Sequence, residues 1–277
     1  MYLKEQAKAL FLAMKKIFLL CMGSFLSVSV SSQQLDSLQA FDAPAARQAV
    51  AVSDKHLFAI GNTTIEQYDK TTGEKRLSWK DDSGLLKHLN SGLVWEGKLY
   101  CAHSNFPEMP MASSIEVFDP ETLAHLESYS LGIDIGTATW LDRYQGHWYV
   151  AFAHYSKGAG QEPGKDNSWS QLVKFTDDWQ RMGAWIYPKE LLERFSGMSN
   201  SGGYITEAGD IIITGHDHKE LYLLTFPPMG YTLQWLETWS APFEGQGIAV
   251  DSEDASIIYG ISRSQRKIVK AKLRNAR

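Results

Sequence analysis

Three phrases of the sequence end an apolar run on histidine: Cys101-Ala102-His103, Phe152-Ala153-His154 and Thr214-Gly215-His216. An unperturbed imidazole titrates near neutrality, so such residues suit acid or base work on a bound substrate. Three of them converging from separate segments also suit a divalent transition metal, with Gln or Asn beside them. His103, His154 and His216 are therefore the candidate catalytic residues and the candidate metal ligands. Asp217 stands between His216 and His218, where a carboxylate can orient an imidazole. A second set is suited to holding a small ligand: Gln48, His88, Asn90, Asn105, Thr137, Asn200, His218, Gln246 and Arg263.

What must bring these residues together is a repeat. "AFDAPAARQAVAVSD" near the N-terminus and "TWSAPFEGQGIAVDS" near the C-terminus align without gaps from Phe41 and Trp239, pairing Pro44 with Pro242 and Gln48 with Gln246. Between them one pattern recurs: a short apolar strand, a turn with Gly or Asp, a second strand of small and aromatic residues, and a third closing on a polar turn. "VFDPETL" in the second copy echoes "QYDKTTG" in the first. Alternating apolar and polar residues in short runs bounded by Gly, Asp and Asn mark antiparallel strands. The one good helical stretch is Pro188 to Phe195, "PKELLERF", with Pro at its start.

Four-stranded repeats of about 50 residues indicate an all-β, five-bladed β-propeller. The fifth copy stops after its third strand, at Leu273, and "QLDSLQAF" before the first copy resembles the missing outer strand. The N-terminal strand is thus expected to pair with Lys267 to Leu273 and close the ring, which removes an exposed edge. A sixth, degenerate blade and a β-sandwich are the alternatives. In a propeller the first strand of each blade starts at the channel mouth where the second ends, so the histidines and their neighbours gather on one rim. Counted from the preceding turn glycine, His103 lies six residues on, His154 eight and His216 seven. The odd count predicts a different facing for His216.

Residues 1–32 read as a signal peptide, in which residues 1–13 look like an upstream extension before Met14. Lys15-Lys16 precede the apolar run Ile17 to Val30, and small residues precede Gln33. Residues 33–277 then form one exported propeller domain, periplasmic or extracellular, with no stable membrane insertion after cleavage. Two cysteines, Cys21 and Cys101, leave the mature chain without an internal disulfide. A net charge of −5 without blocks of like charge argues against nucleic-acid binding. The glycines of "GAGQEPG" lack the strand-to-helix setting of a dinucleotide loop and read as a lid. Trp169, in the same long loop, is placed to stack on a sugar or aromatic ligand.

The phrases "HLNSGLVWEGKLYCAHSNFP", "SSIEVFD", "MSNSGG", "ITGHDHKELY" and "PFEGQGIAVD" resemble those of a family of secreted bacterial propellers, loosely labelled cycloisomerase-like, of the quinoprotein/YVTN-type superfamily. The resemblance implies a propeller with a polar channel mouth, and its label implies ring-forming or ring-opening chemistry on an organic acid. Two functional expectations stand. One is an exported lyase, isomerase or hydrolase acting on a small organic acid or saccharide; the other is a monomeric, non-catalytic propeller binding a sugar, peptide or protein on that face.

Overall fold

The computed structural model describes residues 34–133 and 135–274. The expected signal segment, residues 1–32 with Cys21, and Asp134 lie outside the described residues. Five four-stranded antiparallel sheets follow one another. The chain enters on β1 (Leu35–Asp42). Blade 1 is β2 (Ala49–Val52), β3 (His56–Ile60), β4 (Thr64–Asp69) and β5 (Lys75–Lys80). Blade 2 is β6 (His88–Trp95), β7 (Lys98–Ser104), β8 (Ala112–Phe118) and β9 (His125–Ile133). Blade 3 is β10 (Thr137–Tyr144), β11 (His147–Ala153), β12 (Gln171–Phe175) and β13 (Arg181–Ile186). Blade 4 is β14 (Gly202–Ile205), β15 (Ile211–Thr214), β16 (Glu220–Thr225) and β17 (Gln234–Ser240). Blade 5 is β18 (Ala249–Val250), β19 (Ile257–Ser262), β20 (Lys267–Leu273) and β1.

The ring closes as the repeat predicts. β1 lies antiparallel to β20, with Leu35 opposite Leu273 and Phe41 opposite Ile268. Phe41 and Trp239 hold equivalent places near the ends of outer strands β1 and β17, and Gln48 and Gln246 precede the inner strands β2 and β18. The phrase repeats because both copies make the same crossing from an outer strand into an inner one.

Burial grades outward. β2 and β3 are wholly buried, whereas β5 and β9 are mostly exposed, because inner strands have another blade on each face. The seam between blades 5 and 1 is typical: Phe41, Tyr259 and Ile268 pack with Val50, Leu57 and Tyr68. The echoed turns are equivalent too. Asp69 accepts the amides of Thr71 and Thr72, and Asp119 those of Glu121 and Thr122, a local Asx arrangement that fixes the bend.

The expected helix forms as α1 (Lys189–Arg194), with Pro188 at its N-cap. It buries Leu191, Leu192 and the following Phe195 against Tyr222 and Ile213 of blade 4. Its packing also steadies the segment 196–201 that leads into β14.

Candidate functional site

A pocket of about 90 Å³ takes its lining from all five blades, which places it on the propeller axis. Blade 1 supplies Gln48, and blade 2 supplies His88, Asn90 and Phe106. Thr139 and Tyr155 come from blade 3, Met198, Ser201 and His216 from the blade 4 side, and Gln246 and Arg263 from blade 5. The volume is well above the ~10–15 Å³ that one water requires. The lining mixes polar side chains with the apolar Phe106 and Met198, and it contains Arg263 and no carboxylate.

Two β-bulges build the floor. In β6, Leu89 pairs with His103 and Ser91 with Ala102, leaving Asn90 as the extra residue. In β10, Ala138 pairs with Phe152 and Trp140 with Ala151, leaving Thr139 extra. A bulge interrupts the alternation and re-aims a side chain, and here the two re-aimed residues are both pocket residues. Asn90 Nδ2 donates to the Ala138 carbonyl of the next blade (2.7 Å), and Asn200 Nδ2 donates to Thr139 Oγ1 (3.0 Å). Gln48 Nε2 donates to Asn62 Oδ1 (2.6 Å), and the Gly247 amide donates to the Gln48 carbonyl (2.9 Å). Blades 5 and 1 approach so closely there that a Cβ on Gly247 would fall 2.3 Å from that of Ala49. Only glycine fits.

The histidines separate into two groups. His216 lines the pocket, and its Nδ1 meets Asp217 Oδ1 at 2.5 Å, which leaves Nε2 as the nitrogen available to a ligand. His88 also lines it, with its ring 4.9 Å from that of Phe106. Burial, then the charges of His103 and Arg263, push its pKa down to about 4, against a hydrogen bond with Asn90. His88 is therefore a neutral imidazole at pH 7. Burial likewise raises the Tyr155 phenol to about 12, so it stays protonated and can donate.

His103 and His154 are turned into their own blades. His103 Nε2 accepts the Lys87 amide (3.0 Å), so the proton sits on Nδ1, facing Ser114 Oγ at 2.8 Å. Ser114 passes the chain to the buried Glu116 (2.5 Å). Burial holds the His103 pKa below its usual value, against the pull of Glu116. His154 is wholly buried, with Nε2 2.9 Å from the Ile135 carbonyl and Nδ1 3.4 Å from Glu162. The three rings expected around one cavity thus do not share it. His103 is held within β7, whereas His154 and His216 lie just past the ends of their strands, where local contacts set the rings: the Ile135 carbonyl for His154 and Asp217 for His216. Phe106 and Tyr155, each two residues past the end of its strand, line the pocket. Among the described residues no group of three or more His, Cys, Asp or Glu is placed to hold a metal ion.

Of the expected ligand-binding residues, Gln48, His88, Asn90, Gln246 and Arg263 line the pocket. Thr137 is buried against Met111 Sδ (3.0 Å), and Asn200 lies just behind Thr139. Asn105 staples its own loop, donating to the Pro110 carbonyl and accepting the Ala112 amide. His218 is exposed outside the pocket, and Trp169 stands beyond it beneath Lys165. Phe106, Thr139, Tyr155, Met198 and Ser201 were not anticipated. Thr139 and Ser201 replace Thr137 and Asn200 by a shift of two residues and one, the kind of slip that a bulge or an irregular strand start introduces.

No known protein family matches the sequence, and no curated protein does either. Solved structures do. A luciferin-regenerating enzyme superposes with a TM-score of 0.52 at 9% identity, over 88% of this chain and 95% of that one. A gluconolactonase from Xanthomonas campestris superposes with a TM-score of 0.50 at 12% identity, over 90% and 92%. A calcium-binding regucalcin from Agrobacterium tumefaciens gives 0.47 at 14%, over 80% and 74%. At such identities the likeness is one of fold. The chain is a β-propeller, similar in architecture to these proteins.

The loop 156–166 bears on the pocket from outside. Its ends are clasped by Ser156 Oγ donating to Asn167 Oδ1 (2.9 Å) and accepting the Asn167 amide (3.1 Å), the closed-end form of an Ω-loop. Gly160 is buried on the pocket aromatics: a Cβ there would fall 2.3 Å from Phe106 and 2.7 Å from Tyr155. Gly160→Val is accordingly expected to displace the loop or both rings. Overpacking of this kind costs about 1–3 kcal/mol, and calorimetry should show ligand affinity falling along with the melting temperature. Unchanged affinity would mean that the loop does not shape the pocket.

Proposed function

We propose that the protein is an exported propeller that binds a small organic acid at its axial pocket, with Arg263 as the carboxylate anchor. One observation carries this reading. Arg263 enters a pocket without carboxylates and has no ion-pair partner among the described residues. The remaining lining suits a short, hydroxylated carbon frame: Gln48, Asn90, Thr139, Ser201 and Gln246 offer neutral hydrogen bonds, while Phe106 and Met198 offer an apolar wall. The neutral His88 adds a donor or acceptor without a second charge.

Titration calorimetry with carboxylates of two to six carbons, with and without hydroxyl groups, tests the reading. A hydrogen-bonded charge pair of this kind is worth about 1.5–3 kcal/mol, so Arg263→Gln should weaken binding by roughly 10- to 100-fold. Equal affinity in the variant would remove Arg263 from the site.

A catalytic reading is favoured by one pair, His216 and Asp217. A carboxylate on Nδ1 fixes the tautomer and leaves Nε2 to take or return a proton. Such a step is what the ring-forming or ring-opening chemistry of a cycloisomerase-like protein, or a lyase or hydrolase reaction, would need. His216→Gln should then abolish turnover of a bound acid while leaving its affinity within about threefold. Export has its own check: the N-terminus of protein recovered from the periplasm or medium should begin at Gln33, and a chain retaining Met14 would contradict it.

A further inference from the structure

Arg263 does not stand by itself. It shares the β19–β20 turn with Arg266, whose carbonyl accepts the Ala43 amide (2.8 Å) and so ties that turn to the linker between β1 and β2. The same linker carries Arg47, immediately before the pocket residue Gln48. Burial, then the charges of Arg47 and Arg263, hold the Arg266 guanidinium below its usual pKa, so the three cations lie within reach of one another's fields. Arg266 Nη1 is buried without a hydrogen-bond partner among the described residues.

Nearby carboxylates do not neutralise this cluster. Glu244 accepts the Ser264 amide (3.1 Å) and the Ser264 hydroxyl, while Asp42 is largely exposed and 3.5 Å from Lys267. Neither forms an ion pair with the three guanidiniums among the described residues. Glu244 is engaged by the backbone of the same turn, at the Ser264 and Arg263 amides, and leaves the three guanidiniums without an ion-paired carboxylate among the described residues; like charges so placed repel one another, and one arginine is enough for one carboxylate. The surplus points to a ligand with more charge than a single carboxylate.

We infer that the pocket's ligand is a small molecule with two anionic groups, a dicarboxylate or a phosphorylated acid, with one anionic group on Arg263 and the second on Arg47 and Arg266 at the rim. This rests on the proposed binding of an organic acid and adds its charge and its polarity of approach: the second anionic group faces the seam of blades 5 and 1. Guanidinium forks match carboxylate and phosphate oxygens equally well, so the two sources share the site.

Calorimetric titration with propionate, succinate and phosphoglycolate separates the cases. Wild-type protein should bind at least one of the two probes with a second anionic group about 10-fold or more tightly than propionate. Succinate preferred over phosphoglycolate assigns a dicarboxylate, and the reverse order assigns a phosphorylated acid. Arg47→Gln and Arg266→Gln should each weaken the probe with a second anionic group severalfold more than propionate, and so reduce that preference, with melting curves confirming that both variants fold. Equal affinity for propionate and for both probes with a second anionic group, or a preference that survives in both variants, would overturn the inference. Arg263→Gln reads out separately: if it leaves propionate binding intact, the assignment of the carboxylate anchor itself fails.

Discussion

Removal of residues 34–42 is expected to lower the melting temperature by about 10–20 °C and to turn a single species into associating ones. β1 contributes Leu35 and Phe41, both buried, and pairs with β20 over its length. Each such side chain is worth about 1.5–3 kcal/mol of burial, so the two together with the ladder amount to about 5 kcal/mol or more. For a chain of this size each kcal/mol moves the melting temperature by about 2–4 °C. The loss also uncovers Ile268, Val269 and Ala271 on a naked edge strand, a template for pairing with another copy. Calorimetry and size-exclusion chromatography of the truncated chain check both parts. A truncated protein that stays monodisperse and melts within about 2 °C of the full chain would show that β20 needs no partner.

That closure was legible because it rests on a long-range feature of the sequence, the offset between Phe41 and Trp239, which local irregularities do not disturb. Gln48 and Gln246 were legible for the same reason: they occupy equivalent turns, and both reach the pocket. The histidines show where reading along the chain loses its grip. His103 and His154 stand at strand ends on the correct rim, yet their rings face inward to Ser114 and to the Ile135 carbonyl. Which face a strand residue takes is a matter of parity, and parity survives only while the strand is regular. The six, eight and seven spacing set His216 apart, and of the three only His216 lines the pocket. Thr139 was beyond reach, because nothing in "GTATWLD" marks the bulge that re-aims it. Arg47 and Arg266 escaped notice for another reason: each is ordinary by itself, and only the Ala43–Arg266 contact brings their segments together.

Stability is also expected to fall as the pH rises toward neutrality, through Asp142. This residue of β10 ties blade 3 to blade 4: Oδ2 accepts the Ile205 amide of β14 (2.6 Å), and Oδ1 accepts the Arg143 amide (2.7 Å). Complete burial raises its pKa from 3.8 to about 7, against those two hydrogen bonds. The neighbouring Arg143 guanidinium is directed elsewhere, over Trp148 and onto Asp177, and Tyr204, itself buried, stays neutral. An acid whose folded pKa lies above its unfolded value binds its proton more tightly in the native state. Its stabilising contribution is full below about pH 4 and is lost progressively up to about pH 7, in total roughly 4 kcal/mol. His88 and His103 act in the opposite sense, since their depressed pKa values make the folded state gain stability as the pH rises through the range where an unfolded histidine loses its proton. The raw pH profile therefore mixes both. Asp142→Asn isolates the carboxyl. It keeps one acceptor, places an amide against a backbone N–H at a cost that does not vary with pH, and leaves the histidines in place. The melting temperature of the wild type minus that of the variant should decline steadily from pH 4 to pH 7 by on the order of 10 °C. Parallel curves across that range would mean that Asp142 ionises within the blade interface without consequence, with solvent reaching a carboxyl that the packing of β10 against β14 otherwise seals.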